Sequence, residues 1–264
     1  MMTHHVHRRM SGECYFCRRG LDNMCENVGA ESTPGGLWGP GGFSEYLVVR
    51  GCEIFRVRDD MDPAVGTLAE PVACVTRSVE RGALEVGDSA LLLGAGVMGL
   101  VHIVLAKMRG VKVLVSEPDA QRRKKALEMG ADEVIDPGTE DTASRVRALT
   151  DGRGAEAVFF TAGGVAAIQD GVASLVKNGS LVVYGSTGSE KELVLEPGLF
   201  HYDEIYLTGV TKHTKDSFRK AAKLLSEYTD RFAGLISERF PFDEILPAFE
   251  RSESLETYRV VLEL

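Results

Sequence analysis

The residues with the clearest chemical purpose form one glycine-rich segment: Gly94, Ala95, Gly96, Val97, Met98 and Gly99. An apolar run precedes this G-x-G-x-x-G pattern and an amphipathic helical pattern follows it, which is the context in which such a segment binds a dinucleotide. The first glycine permits a tight turn, the second lets the backbone approach a pyrophosphate, and the third lets the helix pack close to the strand. The helix N-terminus then offers free N–H groups and a partial positive charge to the phosphates.

An acidic residue, Glu117, ends the next apolar run, 18 residues after Gly99. Its carboxylate is expected to accept hydrogen bonds from the adenosine ribose and to repel a 2′-phosphate, so NAD is favoured over NADP as the cofactor. A basic run over residues 122–125 follows, and Arg122 is its candidate for a cofactor contact. A solvated helix face explains most of this run equally well.

Small residues follow the fourth and fifth apolar runs: Ala162, Gly163 and Gly185. An open α/β sheet receives its ligands at the carboxyl ends of its strands, so these residues are candidates for contact with the nicotinamide. A plain turn between strand and helix is an equally good interpretation of each of them.

The second group of chemically capable residues is the cysteine cluster Cys14, Cys17 and Cys25. Thiolates at this close spacing favour a tetrahedral zinc ion, although three of them do not close the site. Ser11 occupies the fourth position by spacing and is a poor ligand, and His7 is a weaker candidate to complete the sphere. The cluster predicts a weakened structural zinc lobe, with three free thiols or a redox pair as the alternatives.

Alternating apolar runs and helical periods predict the elements that position these residues. The runs predict strands at Ala90–Leu93, Lys112–Val115, Glu133–Ile135, Ala157–Thr161, Leu181–Tyr184 and Ile205–Thr208. Helical stretches between the first five predict a parallel sheet covered on both faces. After residue 215 the pattern predicts a helix capped by Asp216, a strand at Leu235–Arg239, a short helix at Asp243–Phe249 and a last strand at Tyr258–Leu262.

Composition narrows the classes of partner. A net charge of −9 leaves no basic face for nucleic acid and favours a protein that takes small-molecule substrates. The apolar stretch Ser89–Met108 imitates a membrane span, but three glycines and His102 interrupt it, so we interpret it as a buried strand and helix with no membrane partner. We find no secretory signal and expect a cytoplasmic protein.

Several pieces, taken in order, resemble the zinc-dependent medium-chain dehydrogenases, especially the branch with sorbitol and threonine dehydrogenases. The pieces are Cys14–Gly20 with Cys25, Gly42–Tyr46, Glu70-Pro71, Gly94–Gly99 and Gly179–Leu181. The resemblance implies an oxidoreductase that interconverts an alcohol or polyol and its carbonyl, and it implies a dimer or tetramer. It also implies an α/β fold in which a Rossmann doubly wound sheet is inserted in a partial GroES-like β-barrel. The expected domains are a partial GroES-like domain with the zinc lobe at 1–72, an NAD-binding domain at 73–215, and a return to the first domain at 216–264.

By the same resemblance, Glu70 is expected to be a ligand of the catalytic zinc. Taken alone, it is better interpreted as a helix cap with Pro71 at the first helical position. The family's other ligands lie upstream of the cysteine lobe, and no Gly-His-Glu sequence occurs in the 264 residues. We therefore expect cofactor binding with little alcohol oxidation. The alternatives are a non-catalytic nucleotide-binding protein and a zinc-free quinone-reductase-like enzyme, and the cysteines and Glu117 argue against the latter.

Overall fold

The computed structural model describes residues 12–27, 43, 46, 51–187 and 192–264. The chain forms two compact units. One unit runs to Cys74 and resumes at Thr211, and the other comprises Val75–Val210. The second unit is therefore an insertion, which the chain enters once and leaves once.

The elements in the described ranges alternate through the inserted unit. The helices are α1 (Tyr15–Arg18), α2 (Pro63–Gly66), α3 (Ala69–Arg81), α4 (Val97–Lys107), α5 (Ala120–Glu128), α6 (Thr142–Leu149), α7 (Val165–Ala173), α8 (Pro197–His201), α9 (Lys215–Glu227), α10 (Thr229–Ala233) and α11 (Ile245–Ser252). The strands are β1 (Ser89–Leu93), β2 (Lys112–Ser116), β3 (Glu133–Ile135), β4 (Ala155–Phe160), β5 (Leu175–Val183), β6 (Tyr206–Gly209), β7 (Ile236–Pro241) and β8 (Arg259–Glu263).

The inserted unit is built on a six-stranded parallel sheet in the order β3-β2-β1-β4-β5-β6. In β1, Leu91 pairs with Leu114 of β2 on one side and Val158 of β4 on the other, and all three are fully buried. Continuous apolar runs form such strands because both faces of the sheet are covered by helices. The parallel sheet expected from the sequence is confirmed.

The strand order reverses between β1 and β4, since β2 and β3 lie on one side of β1 and the later strands lie on the other. In sheets of this kind the crevice outside the carboxyl ends of the two strands at the reversal receives the ligand. The glycine-rich segment directly follows β1, so the fold carries it to this crevice.

The apolar stretch at Ser89–Met108 consists of β1 and α4, as expected. Residues 99–106 of α4 are all buried, so the helix is covered well beyond the one apolar face that its period predicted. Gly110 and Gly130 follow α4 and α5 with φ of +74° and +104°. These left-handed values suit glycine, which commonly follows the last turn of a helix. No helix in the described ranges is long and apolar enough to cross a membrane.

In the other unit, the prediction that Asp216 caps a helix is wrong. The cap of α9 is Thr214, whose hydroxyl accepts from the backbone N–H of Ser217, while the Ser217 side chain accepts from Thr214 N–H. This reciprocal pair satisfies two N–H groups at the helix start, and Asp216 instead lies in the first turn and pairs with Lys220. The predicted last strands are β7 and β8, shifted by one or two residues, and they pair in parallel. The predicted helix at Asp243–Phe249 is a 3₁₀ turn, Phe242–Glu244, followed by α11.

Candidate functional site

The glycine-rich segment forms a tight turn from β1 into α4. Gly94 has φ of +100°, which only glycine adopts without strain. A Cβ at Gly99 would lie 2.2 Å from the Gly94 carbonyl oxygen, so the helix packs directly on the turn. Gly96, with φ of −69°, is the N-cap of α4, and a Cβ there would meet no atom within 4 Å. Gly96 therefore leaves open space above the helix N-terminus, where a pyrophosphate has room to approach.

The acidic residue predicted to hold the ribose lies against this turn. Glu117 is 5% exposed, its Oε2 accepts from Ala95 N–H at 2.8 Å, and its Oε1 accepts from Asp119 N–H at 2.9 Å. A carboxylate oxygen accepts more than one hydrogen bond, so each keeps capacity for a ribose hydroxyl. The two backbone donors fix the carboxylate beside the glycine segment.

The basic residues 122–125, which follow Glu117, differ in the contacts that their side chains make. Arg123 donates from Nη1 to the carbonyl oxygens of Glu117 and Pro118 and pairs with Asp136 at 2.9 Å. Lys124 and Lys125 both approach Glu128. The Nε of Arg122 is buried and has no hydrogen-bond partner within the described residues. The cofactor contact expected of Arg122 stays a prediction.

The strand ends after β4 and β5 converge on the same turn. A Cβ at Gly94 would lie 3.0 Å from the Ala162 Cβ, and the Thr161 hydroxyl donates to the Leu93 carbonyl at 2.8 Å. Gly163 has φ of +114°, and a Cβ at Gly185 would lie 2.5 Å from the Thr161 carbonyl oxygen. Backbone geometry alone accounts for both glycines. The structure nevertheless brings the predicted small residues to the carboxyl edge of the sheet, beside the glycine turn.

The three clustered cysteines converge as their spacing predicts. The sulfur atoms of Cys14, Cys17 and Cys25 all lie within 4.8 Å of one another. Backbone hydrogen bonds lower the pKa of the Cys14 thiol to about 7, chiefly the one from Cys17 and then the one from Glu26, while burial raises the pKa of Cys17. Thiolates gathered at this separation fit a zinc ion in chemistry and in spacing. Ser11 and His7, the two candidates for a fourth ligand, lie outside the described residues.

The loop that carries the cysteines is tied to the later part of its own unit. The Asp22 carboxylate accepts from the backbone N–H of Lys215, at 3.2 Å to Oδ2, and Asn23 Nδ2 donates to the Thr211 carbonyl at 3.0 Å. Asp22 and Asn23 are both buried. These contacts hold the loop in place through residues other than the cysteines.

Glu70 lies within the first turn of α3, which begins at Ala69, so its interpretation as a helix cap is wrong. The Cys74 thiol, one helical turn later, donates to Glu70 Oε1 at 3.2 Å. Burial lowers the pKa of the nearby Arg259, and the Glu70 charge opposes that shift. Arg259 Nη2 donates a hydrogen bond to the Thr67 carbonyl oxygen at 2.9 Å. The Glu70 carboxylate is thus oriented by a thiol and faces a cation, and a carboxylate is a suitable donor to zinc.

The sequence did not single out one group beside this site. His102, fully buried in α4, contacts the Met98 carbonyl inside the glycine-rich segment and the Ser78 hydroxyl of α3. The sequence feature that could have pointed to this group is the histidine itself, because a polar ring in an apolar helix must find hydrogen-bond partners when it is buried.

Comparison with known proteins gives consistent matches. The family model described as zinc-binding dehydrogenase matches residues 97–227. L-threonine 3-dehydrogenase of Pyrococcus horikoshii is 30% identical over 96% of this chain and 72% of its own length, and L-galactonate-5-dehydrogenase of Escherichia coli is 31% identical over 90% and 68%. A zinc-binding dehydrogenase structure from Sinorhizobium meliloti, bound to NADP, superposes with a TM-score of 0.84 at 26% identity, over 97% of this chain and 75% of that one. The predicted fold class, a Rossmann sheet inserted in a GroES-like domain, is confirmed.

Proposed function

This chain belongs to the zinc-dependent medium-chain dehydrogenases, a family of nicotinamide-dependent alcohol and polyol oxidoreductases, and on that premise we propose that it binds NAD at the glycine turn and interconverts an alcohol and its carbonyl. The observation that carries the proposal is the open space above Gly96 with the Glu117 carboxylate fixed beside it. The proposed nucleotide domain spans residues 73–215, and the remaining residues form the catalytic domain. We place the protein in the cytoplasm as part of the same proposal.

The roles of the nucleotide-site residues follow from their geometry. The first N–H groups of α4 bind the pyrophosphate, because a helix N-terminus presents unpaired donors and a positive potential. Glu117 accepts from the ribose hydroxyls, and its charge disfavours a 2′-phosphate, which makes NAD the proposed cofactor. Arg122 donates to the adenosine half from its guanidinium group. Ala162, Gly163 and Gly185 bring backbone close to the nicotinamide.

The residues of the other unit supply metal ligands in this proposal. Cys14, Cys17 and Cys25 hold a structural zinc, and Glu70 is one ligand of a catalytic zinc. A zinc ion held there would supply polarisation of the substrate oxygen, and a bound nicotinamide would supply the hydride chemistry. Glu70 contributes negative charge from a fixed position, because the Cys74 thiol restrains its carboxylate.

We also propose a homo-oligomer of this chain. β6 lies at the edge of the described sheet, where Tyr206 is 58% exposed and Leu207 is 39% exposed. An edge strand with exposed apolar side chains is suited to pairing with a second copy.

The reaction is tested by following reduced nicotinamide with a panel of alcohols, polyols and 3-hydroxy amino acids, each with NAD and with NADP. Any NAD reduction should be lost in Glu70→Gln, which keeps the size and removes the charge, and retained in Glu250→Gln, an exposed control on α11. NAD reduction that is unchanged in Glu70→Gln would contradict the assignment of Glu70. NAD binding without reduction of any substrate would support the non-catalytic alternative.

The proposed structural zinc site at Cys14, Cys17 and Cys25 is tested by measuring the metal content of the purified chain. We expect bound zinc in the parent and in Cys74→Ser, since Cys74 lies outside the cluster, and loss of the lobe zinc in Cys17→Ser, because two thiolates hold zinc poorly. Equal zinc content in Cys17→Ser and the parent would refute the cysteine site.

A further inference from the structure

The side chain of His102, in the inserted unit, is fully buried in the middle of α4. Burying an imidazole is unfavourable unless both ring nitrogens find partners. In this chain both do, and one partner belongs to the dinucleotide segment.

The hydrogen bonds of His102 fix its tautomer. Nδ1 lies 2.7 Å from the Met98 carbonyl oxygen, which only accepts, so Nδ1 carries the proton. Nε2 lies 2.8 Å from the Ser78 hydroxyl oxygen, so Ser78 donates to it. Burial also lowers the pKa of His102 to about 4, which keeps the ring neutral near pH 7. A neutral His102 therefore links the first turn of α4 to α3 in one defined arrangement.

Two aromatic side chains pack against the His102 ring, and one of them also contacts Met98. The His102 ring packs edge-on against Tyr184 and at a tilt against Phe159, each with ring centroids 5.0 Å apart. The Tyr184 hydroxyl donates to the Met98 sulfur at 3.3 Å. Met98 is thus held twice, at its carbonyl by His102 and at its side chain by Tyr184, which follows β5.

We propose that His102 is a positioning residue for the dinucleotide: through Met98 and Ser78 it fixes the first turn of α4, so that the N–H groups there face the pyrophosphate in one orientation. This inference rests on the proposed function, because it assumes a dinucleotide at that turn. A turn ordered in advance loses less conformational freedom when the ligand binds, and this gain appears as affinity.

The experiment is a titration of the full chain with NAD. His102→Phe keeps a ring and removes both hydrogen bonds, and we expect its Kd for NAD to rise about tenfold, the equivalent of one hydrogen bond. In His102→Asn the amide nitrogen takes the place of Nδ1 and donates to the Met98 carbonyl. Its Kd should lie between the parent and His102→Phe values, about threefold above the parent, because this variant keeps the Met98 bond and lacks the bond from Ser78. Val104→Ala, a cavity variant on the same helix, should lower the melting temperature and leave the Kd unchanged, since Val104 is 4% exposed.

The serine link is tested by a double-mutant cycle. Ser78→Ala should weaken NAD binding, and Ser78→Ala combined with His102→Phe should be no weaker than His102→Phe alone, because both remove the same connection. Additive losses would contradict the link. A folded His102→Phe with the parent Kd, or a His102→Asn as weak as His102→Phe, would overturn the positioning role.

A parent chain that binds neither NAD nor NADP would refute the proposed function. The positioning role is then decided by amide hydrogen exchange of residues 97–100. Exchange should accelerate in His102→Phe and recover in part in His102→Asn, which keeps the bond to the Met98 carbonyl and lacks the one from Ser78. Equal exchange in all three proteins would overturn the inference.

Discussion

At the scale of single residues, Glu117 and the glycine turn form one structure. The carboxylate accepts the Ala95 N–H, so the acidic group expected to hold the ribose also holds the turn expected to hold the pyrophosphate. A substitution of Glu117 therefore perturbs both halves of the site together. Gly96 is the cleaner probe, since a methyl group there would meet only open space.

His102 gives a prediction for stability against pH. Its pKa is about 4 in the folded chain, below the ordinary value of 6.5, so the unfolded chain binds the extra proton between these values. The stability gained by holding the ring neutral is fully present above pH 6.5, and it is lost as the pH falls toward 4. Between pH 7 and pH 5 the free energy of unfolding of the parent should fall by about 2 kcal/mol more than that of His102→Asn, because the asparagine side chain does not titrate.

Denaturant unfolding of both proteins at the two pH values measures this difference. The carboxylates titrate in both proteins alike, so they cancel in the comparison. An equal loss of unfolding free energy in parent and variant would show that His102 is not held neutral.

The sequence predicted residues whose partners are near in the chain or follow a known spacing. Cys14, Cys17 and Cys25 fall within one short loop, and Glu117 follows the glycine segment at a set distance. It did not predict the contacts of His102, because Ser78 is 24 positions away and the Tyr184 hydroxyl reaches Met98 across 86 positions. Such contacts depend on how helices and strands pack, which residue type and spacing do not encode.

At the scale of elements, the join between β1 and α4 depends on two glycines with different purposes. Gly99→Ala should destabilise the fold by about 3 kcal/mol, because its Cβ would lie 2.2 Å from the Gly94 carbonyl oxygen and backbone must shift. Gly96→Ala should cost less than about 1 kcal/mol, since its φ of −69° suits alanine and only its favourable capping is lost. Thermal or denaturant unfolding of the two variants and the parent measures both effects.

The ordering of the two variants is the decisive result. If Gly96→Ala were as destabilised as Gly99→Ala, the space above the helix N-terminus would not be open. A pyrophosphate could then not approach the N-terminus of α4 over Gly96.

Element boundaries were predicted where apolar runs are continuous and missed where they are not. β1 and β2 begin and end within one residue of their predicted bounds, because every position after the first is buried. β5 begins at Leu175, six residues before its predicted start, since its early positions include the exposed Lys177 and Asn178. Pairing with β4 sets that start, and the register between these strands shifts there. The α9 cap was missed because the reciprocal Thr214–Ser217 pair competes with an acidic residue that also suits a helix start.

At the scale of the whole molecule, the chain leaves one compact unit and returns to it, with Val75–Val210 inserted. The resemblance to the dehydrogenase family implied an inserted domain at 73–215.

Assembly of copies is predicted at the same scale. Light scattering should give a mass that is a multiple of the 28.7 kDa chain, because β6 offers an exposed, apolar sheet edge. Leu207→Lys should reduce that mass by placing charge on the edge, while Leu246→Lys, on the exposed face of α11, should not. A parent chain that remains at 28.7 kDa at all concentrations would contradict the proposed oligomer.

A dinucleotide at the glycine turn is tested most directly by a calorimetric titration of the parent chain and of Gly96→Ala with NAD and with NADP. We predict one NAD bound per parent chain, weaker binding of NADP, and a loss of more than about tenfold in NAD affinity in Gly96→Ala while its fold remains intact. No heat with either cofactor from a folded parent chain, or the same NAD affinity in Gly96→Ala as in the parent, would contradict a dinucleotide at the glycine turn.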